Sequence, residues 1–186
     1  SKAVEVHAGA QDLIAMLPKD ALTKTMVRQA IDALNAVSAS LERLKAEMCT
    51  LAAQLPEYPV VMAMHGVGDS LGPQLMAELG DVTRFTHRNA ITAFAGVDPG
   101  ADQSATHEAK STRVSKSGPP ELRRALFLVM DCLLKTQPQD DPVYRFMDKK
   151  RAEGKPYLVY MTAGANKFLR IYYGRVKEYL ASLEGN

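Results

Sequence analysis

One spacing limits this chain more than any other feature of its sequence. Val27, Ile31, Leu34, Val37, Leu41, Leu44, Met48, Leu51 and Leu55 follow one another in steps of three and four. The steps alternate except for two consecutive threes between Ile31 and Val37, the pattern of a coiled-coil seam with a single irregularity. Asp20 stands where an N-cap belongs, with Pro18 and Lys19 just outside it. A helix of roughly 35 residues is about 50 Å long at about 1.5 Å per residue, too long to bury itself against a small domain. Residues 1–56 therefore read as a helical arm that pairs with another helix or another chain, as a homodimer or higher oligomer. Two ordinary helices packed on a core are the alternative.

Residues 57–186 carry helical patterns broken by glycine and proline, and the predicted fold class is mainly α. Pro56 and Pro59 end the arm. In "VVMAMHGVGDSLGPQLMAELG" a helix, the turn Gly66-Val67-Gly68 and a second helix follow in order, with Leu71, Leu75, Met76 and Leu79 facing inward and Gly80 closing the helix. This is the shape of a helix-hairpin-helix, in which backbone amides of the turn approach a phosphate and the next helix adds its dipole. A plain tight turn fits the same residues. Further helices are predicted at Asn89 to Ala95, from Pro120 with the stripe Leu122, Leu126, Val129 and Leu133, up to Gly154, and over "YLVYMTAGANKFLRIYYGRVKEYLASL". In the last, Ala163, Gly164 and Ala165 permit close helix approach. No convincing strand is found outside the polar loop described next.

Between Ala95 and Leu126 the chain reads "AGVDPGADQSATHEAKSTRVSKSGPPELRRAL", with some twenty residues almost without an apolar side chain. Loops of this length are uncommon in compact domains unless they are disordered or functional; this one is expected to be mobile in the absence of nucleic acid. The net charge of +2 hides a gradient, because basic residues dominate from Lys110 onward: Arg113, Lys116, Arg123, Arg124, Lys167 and Arg170 are among them. Such a half suits a phosphate backbone, or a set of solvated helix faces. With 24% charged residues and no long apolar run, a membrane-spanning helix is excluded. "SKAVEVHAG" is no secretory signal, and the missing initiator Met suggests a processed chain or a fragment. Cys49 and Cys132 sit in apolar helical patterns and read as buried, reduced thiols of a cytosolic protein. Neither they nor the four histidines have zinc-ligand spacing, so no metal or cofactor is assigned to this chain.

The ordered set "HGVG…AELGD…RF…AFAGVDPGADQS…RVSKSGPPELRRAL", with "EGKPYLVYMTAGANKFLRIYYGRVK" behind it, resembles the C-terminal transposase domain of the IS110/IS116/IS902 family of bacterial insertion-sequence recombinases. The likeness covers about Val60 to Lys177 and implies a preceding coiled coil. It further implies a composite enzyme whose N-terminal RuvC-like domain, outside this chain, holds Mg2+ on four acidic residues, while this half presents a serine that attacks DNA. By the resemblance Ser104 is the candidate nucleophile. Gly66, Gly68, Lys110, Arg113, Lys116, Arg123, Arg124, Lys167 and Arg170 are the candidate DNA contacts. DNA is the implied partner and a structured guide RNA a further one. The implied location is the bacterial cytoplasm at the nucleoid, and the isolated chain is expected to be inactive. His65, Ala105 and Glu108 depart from the family pattern, at the turn, beside the serine and in the basic ribbon.

A serine hydroxyl needs a base or a metal to activate it, and phosphoryl transfer needs cations on the equatorial oxygens. Ser111, Ser115 and Ser117 compete with Ser104 on residue type. Two other functions remain open on the residues themselves: a non-catalytic helix-hairpin-helix DNA-binding module, and a purely structural role in which the arm self-associates.

Overall fold

The computed structural model of the chain describes residues 20–98, 115 and 117–185, together with 5, 8–11, 13, 16 and 18. Among them the chain is mainly helical and has no strand. In order it forms α1 (Ala21–Ala52), α2 (Tyr58–Met62), α3 (Leu71–Leu79), a 3-10 turn (Val82–Arg84), α4 (Arg88–Ala95), α5 (Pro120–Thr136), α6 (Pro142–Ala152) and α7 (Tyr157–Glu184). The chain divides into two units, Ser1–Leu44 and Lys45–Asn186. No described helix is long and apolar enough to cross a membrane.

In the first unit the observed cap is the expected one. The Thr23 amide donates to Asp20 Oδ1 at 2.6 Å, and this bond holds the Asp20 carboxyl below its ordinary range. From there α1 runs without interruption for 32 residues, one helix where two were the alternative. The seam residues Val27, Ile31, Leu34, Val37, Leu41 and Leu44 are all exposed, Val37 at 68%.

The second unit is built around α7. Tyr160, Met161, Gly164, Ala165, Phe168, Leu169, Tyr172 and Val176 recur every three or four residues and are buried, the stripe a helix needs when several neighbours cover it. α7 packs against α2, α4, α5 and α6. The small residues have the expected consequence: a Cβ on Gly164 would lie 2.5 Å from Met147 Sδ and 2.9 Å from Met130 Sδ, so α5, α6 and α7 converge where a side chain would have to displace both methionines. α5 adds Leu122, Ala125, Leu126, Val129, Met130 and Leu133, all inaccessible to solvent. Burying a leucine of this kind stabilises the fold by about 1.5–3 kcal/mol.

Polar groups then fix the short elements. Asp141 caps α6, its Oδ1 accepting from the amides of Val143 at 2.8 Å and Tyr144 at 2.7 Å. α4 begins one residue earlier than predicted because the His87 ring caps it, with Nδ1 accepting from the amides of Asn89 and Ala90, both at 3.2 Å. Arg84 donates to the Leu79 carbonyl at 3.0 Å. Its guanidinium also lies over the rings of Phe85, at 4.6 Å, and Phe94, at 4.4 Å. The Arg84-Phe85 pair thus joins the end of α3 to α4, and Tyr173 of α7 donates its hydroxyl to the Phe85 carbonyl at 3.0 Å.

The cysteine expectation needs correcting. Both thiols are free, and both are half-buried rather than buried. Cys49 Sγ donates to the Asp69 carbonyl at 3.0 Å, and Cys132 borders an open depression on the surface. Apolar spacing put them in helices correctly, but the neighbours that would cover them are turns.

Candidate nucleic-acid interface

Three pieces of the second unit carry the residues singled out from the sequence. The first is the Gly66-Val67-Gly68 turn between α2 and α3. Gly66 has φ +78°, a left-handed conformation that favours glycine. A Cβ there would sit 3.0 Å from the Val129 carbonyl oxygen and 3.1 Å from Leu133 Cγ. Gly66 therefore lets the turn lie flat on α5. Gly68 has open space around it. Together with Asp69, Ser70, Leu71 and Cys132 the turn lines an open concavity of about 380 Å3. The Ser70 side chain leaves the N terminus of α3 uncapped. The Gly72 amide is bonded to the Gly68 carbonyl at 2.8 Å and Pro73 has no N–H, which leaves the Leu71 amide of the first turn for an external acceptor.

The second piece is the neck at which the polar loop leaves and rejoins the scaffold. Ser115 Oγ donates to Asp98 Oδ1 at 3.0 Å and lies 3.2 Å from Ser117 Oγ. Immediately after Ser117, Gly118 crosses the C-terminal end of α4 so closely that a Cβ would be 1.9 Å from the Phe94 carbonyl oxygen. Arg123 Nη1 donates to the Gly118 carbonyl at 2.5 Å, which ties the start of α5 to the same point. Arg123 is thus half-buried in a structural bond, whereas its neighbour Arg124 is exposed.

The third piece is the polar side of α7. Arg170 is exposed and donates to Asn89 Oδ1 of α4 at 2.9 Å. Lys167 Nζ lies 4.7 Å above the Phe146 ring of α6. Lys177 Nζ is 3.2 Å from the Tyr173 hydroxyl and 5.2 Å from the centre of that ring.

Of the residues proposed from the sequence, Gly66, Gly68, Arg123 and Arg124 are gathered around α5, and Lys167 and Arg170 around α7. Ser104, Lys110, Arg113 and Lys116 lie outside the described residues. Among the described residues, no three His, Cys, Asp or Glu side chains are grouped to hold a metal ion. Sequence reasoning missed Asn89, Asp98, Tyr173 and Lys177. Lys177 was within reach, since it stands ten residues after Lys167 on the same side of one helix. Asn89 was not, because its partner is 81 positions away.

Residues 58–145 match the model of the Transposase IS116/IS110/IS902 family. The chain is also similar to the "Pilin gene-inverting protein" of Moraxella bovis, 26% identical over 113 residues. The protein of the same name from Moraxella lacunata is equally similar. Each alignment covers 61% of this chain and 34% of the relative, so the matched part amounts to about a third of those proteins. The matched residues run from the start of α2 through α3, α4 and α5 into α6 and include both the glycine turn and the loop neck. Over residues 58–145, just under half of its length, this chain is thus similar to the Transposase IS116/IS110/IS902 family.

Proposed function

We propose that this chain is the C-terminal part of a DNA transposase or recombinase that presents the Ser104 hydroxyl to a DNA phosphodiester. The observation that carries the reading is the family match over residues 58–145, a span that contains Ser104 and both sides of the neck from which its loop springs. In the proposed step Ser104 Oγ attacks phosphorus and its proton passes to a base. A phosphoserine ester forms, the P–O bond to one deoxyribose oxygen breaks, and that oxygen leaves as a hydroxyl after taking up a proton. Reversal with the hydroxyl of another strand end exchanges strands without loss of bond energy.

Mg2+ and the acidic residues that hold it belong, in this reading, to a preceding RuvC-like domain, so residues 1–186 alone are inactive. Gly68 and the uncapped start of α3 suit backbone phosphates. Lys110, Arg113, Lys116 and Arg124 add cations around the loop, and a structured RNA is a further partner. The exposed seam from Val27 to Leu44 associates with a second copy of itself, since a/d residues at this exposure favour a partner helix over water. The protein acts in the cytoplasm on the bacterial nucleoid.

The test is covalent capture of labelled DNA by the parent protein with its metal domain, followed under denaturing conditions. Ser104→Ala is expected to abolish the captured species and leave binding nearly intact. Capture that survives the change would remove Ser104 from the role. Binding with no capture in the unchanged protein would leave a non-catalytic helix-hairpin-helix module.

A further inference from the structure

We infer that the face shared by α4 and α7, made of Asn89, Arg170, Tyr173 and Lys177 and extended by Lys167 over Phe146, is a rail for a phosphodiester backbone. The inference rests on the nucleic-acid reading above and adds a surface to it.

The first argument is the company these cations keep. Elsewhere in the same unit, three surface cations are neutralised locally: Lys135 by Asp131, Lys150 by Glu153 and Arg151 by Asp148. On α7 the partners are neutral. Arg170 is held by an amide oxygen, Lys177 by a phenol and Lys167 by an aromatic face. Between Lys167 and Lys177 the helix has four cations, counting Arg175, and no carboxylate, and α4 has no carboxylate either. The side chains are oriented, yet their charge is left for something else to meet.

The second argument is the kind of hydrogen bond the face still offers. Asn89 Oδ1 accepts from Arg170, leaving its amide hydrogens free to donate. Tyr173 gives its hydroxyl hydrogen to the Phe85 carbonyl and accepts from Lys177. Arg170 and Lys177 keep further N–H groups and have no acceptor. A surface of spare donors fits a ligand whose oxygens only accept, which is the nature of a phosphodiester.

Spacing agrees. At about 100° and about 1.5 Å per residue, Lys167, Arg170 and Lys177 fall within about a quarter of the helix circumference and span about 15 Å. One strand of a duplex advances about 3.4 Å per nucleotide, so the row matches about four steps.

The experiment measures affinity of the full chain for two probes, a short mixed-sequence DNA duplex and an RNA stem-loop, between about 50 and 200 mM salt. Arg170→Gln with Lys177→Gln is expected to flatten the log-log salt dependence on the duplex by about 1.8, from about 0.9 per lost phosphate contact. Lys135→Gln with Arg151→Gln removes the same charge from neutralised positions and is expected to leave the slope unchanged. Arg170→Lys with Lys177→Arg preserves charge and is expected to restore it. Should loss of the Asn89 bond loosen α4, Lys177→Gln alone, which leaves that bond intact, is expected to flatten the slope by about half as much. Flattening on the duplex only, on the RNA only, or on both supports the rail and identifies its occupant. An unchanged slope on both probes, with the unaltered chain binding normally, overturns the rail alone. An unaltered chain that binds neither probe at low salt overturns the rail and the nucleic-acid reading with it.

Discussion

Replacing Gly118 by alanine tests the account of the loop neck most directly. The glycine has no unusual backbone angle to excuse it, and its reason is proximity. An alanine Cβ would stand 1.9 Å from the Phe94 carbonyl oxygen, 2.6 Å from the Ala95 carbonyl carbon and 2.8 Å from that of Phe94. All three are main-chain atoms at the end of α4, so no flexible side chain can yield. Either the neck lifts by more than an ångström or α4 shifts, and Arg123 then loses its bond to the Gly118 carbonyl. Overpacking in cores costs about 1–3 kcal/mol, and rigid neighbours put this site at the upper end. The reduced freedom of the unfolded chain returns about 0.4–1 kcal/mol. A net loss of about 2 kcal/mol lowers the melting temperature by about 4–8 °C for a unit of this size. Thermal unfolding followed by circular dichroism measures it, with Gly174→Ala as the internal standard. Gly174 lies within α7 with nothing inside 4 Å of its would-be Cβ, so alanine there is expected to stabilise by about 0.5–1 kcal/mol. A Gly118→Ala chain that melts at or above the unaltered protein, while Gly174→Ala gains as expected, would refute the packing argument.

Two other changes probe the ends of the molecule's range. Leu41→Lys or Leu44→Lys puts a charge into the exposed seam; light scattering is expected to show loss of the self-associated species with the melting of the second unit unchanged, and an unaltered mass would remove the arm from assembly. Asp141→Ala deletes a carboxylate that caps α6 through two amides and is expected to cost about 1–2 kcal/mol in urea unfolding, whereas Asp141→Asn keeps an acceptor and most of the stability.

Tyr172 is a case the packing alone decides. Its ring is buried in the core of the second unit, and its hydroxyl has no hydrogen-bond partner among the described residues. Burial, with the Glu57 carboxylate as a lesser cause, pushes the phenol well above its usual range. The periodicity of α7 assigns this residue to the core without distinguishing a tyrosine from a phenylalanine.

Much of the fold was legible because it is written at short range. Apolar residues three and four apart, Asp20 before the seam and Pro120 with Glu121 at the head of α5 act within a few turns of one helix. The same holds for the left-handed turn at Gly66. Small residues at 163–165 announced a close approach, though not that Met130 and Met147 supply its other side. The candidate site was legible in part, through cations spaced along α7 and glycines between helices.

What stayed hidden depends on which helices meet. Sequence spacing cannot tell that Asn89 holds Arg170, that Arg84 lies across Phe85 and Phe94, or that Arg123 is spent on the Gly118 carbonyl while Arg124 stays exposed. These follow from helices crossing at particular points, where a hydrogen bond between residues some eighty positions apart forms only after the core has packed. Local propensity determined the helices of this chain and the turns between them. Only the tertiary structure decided which cations were neutralised and which were left facing outward.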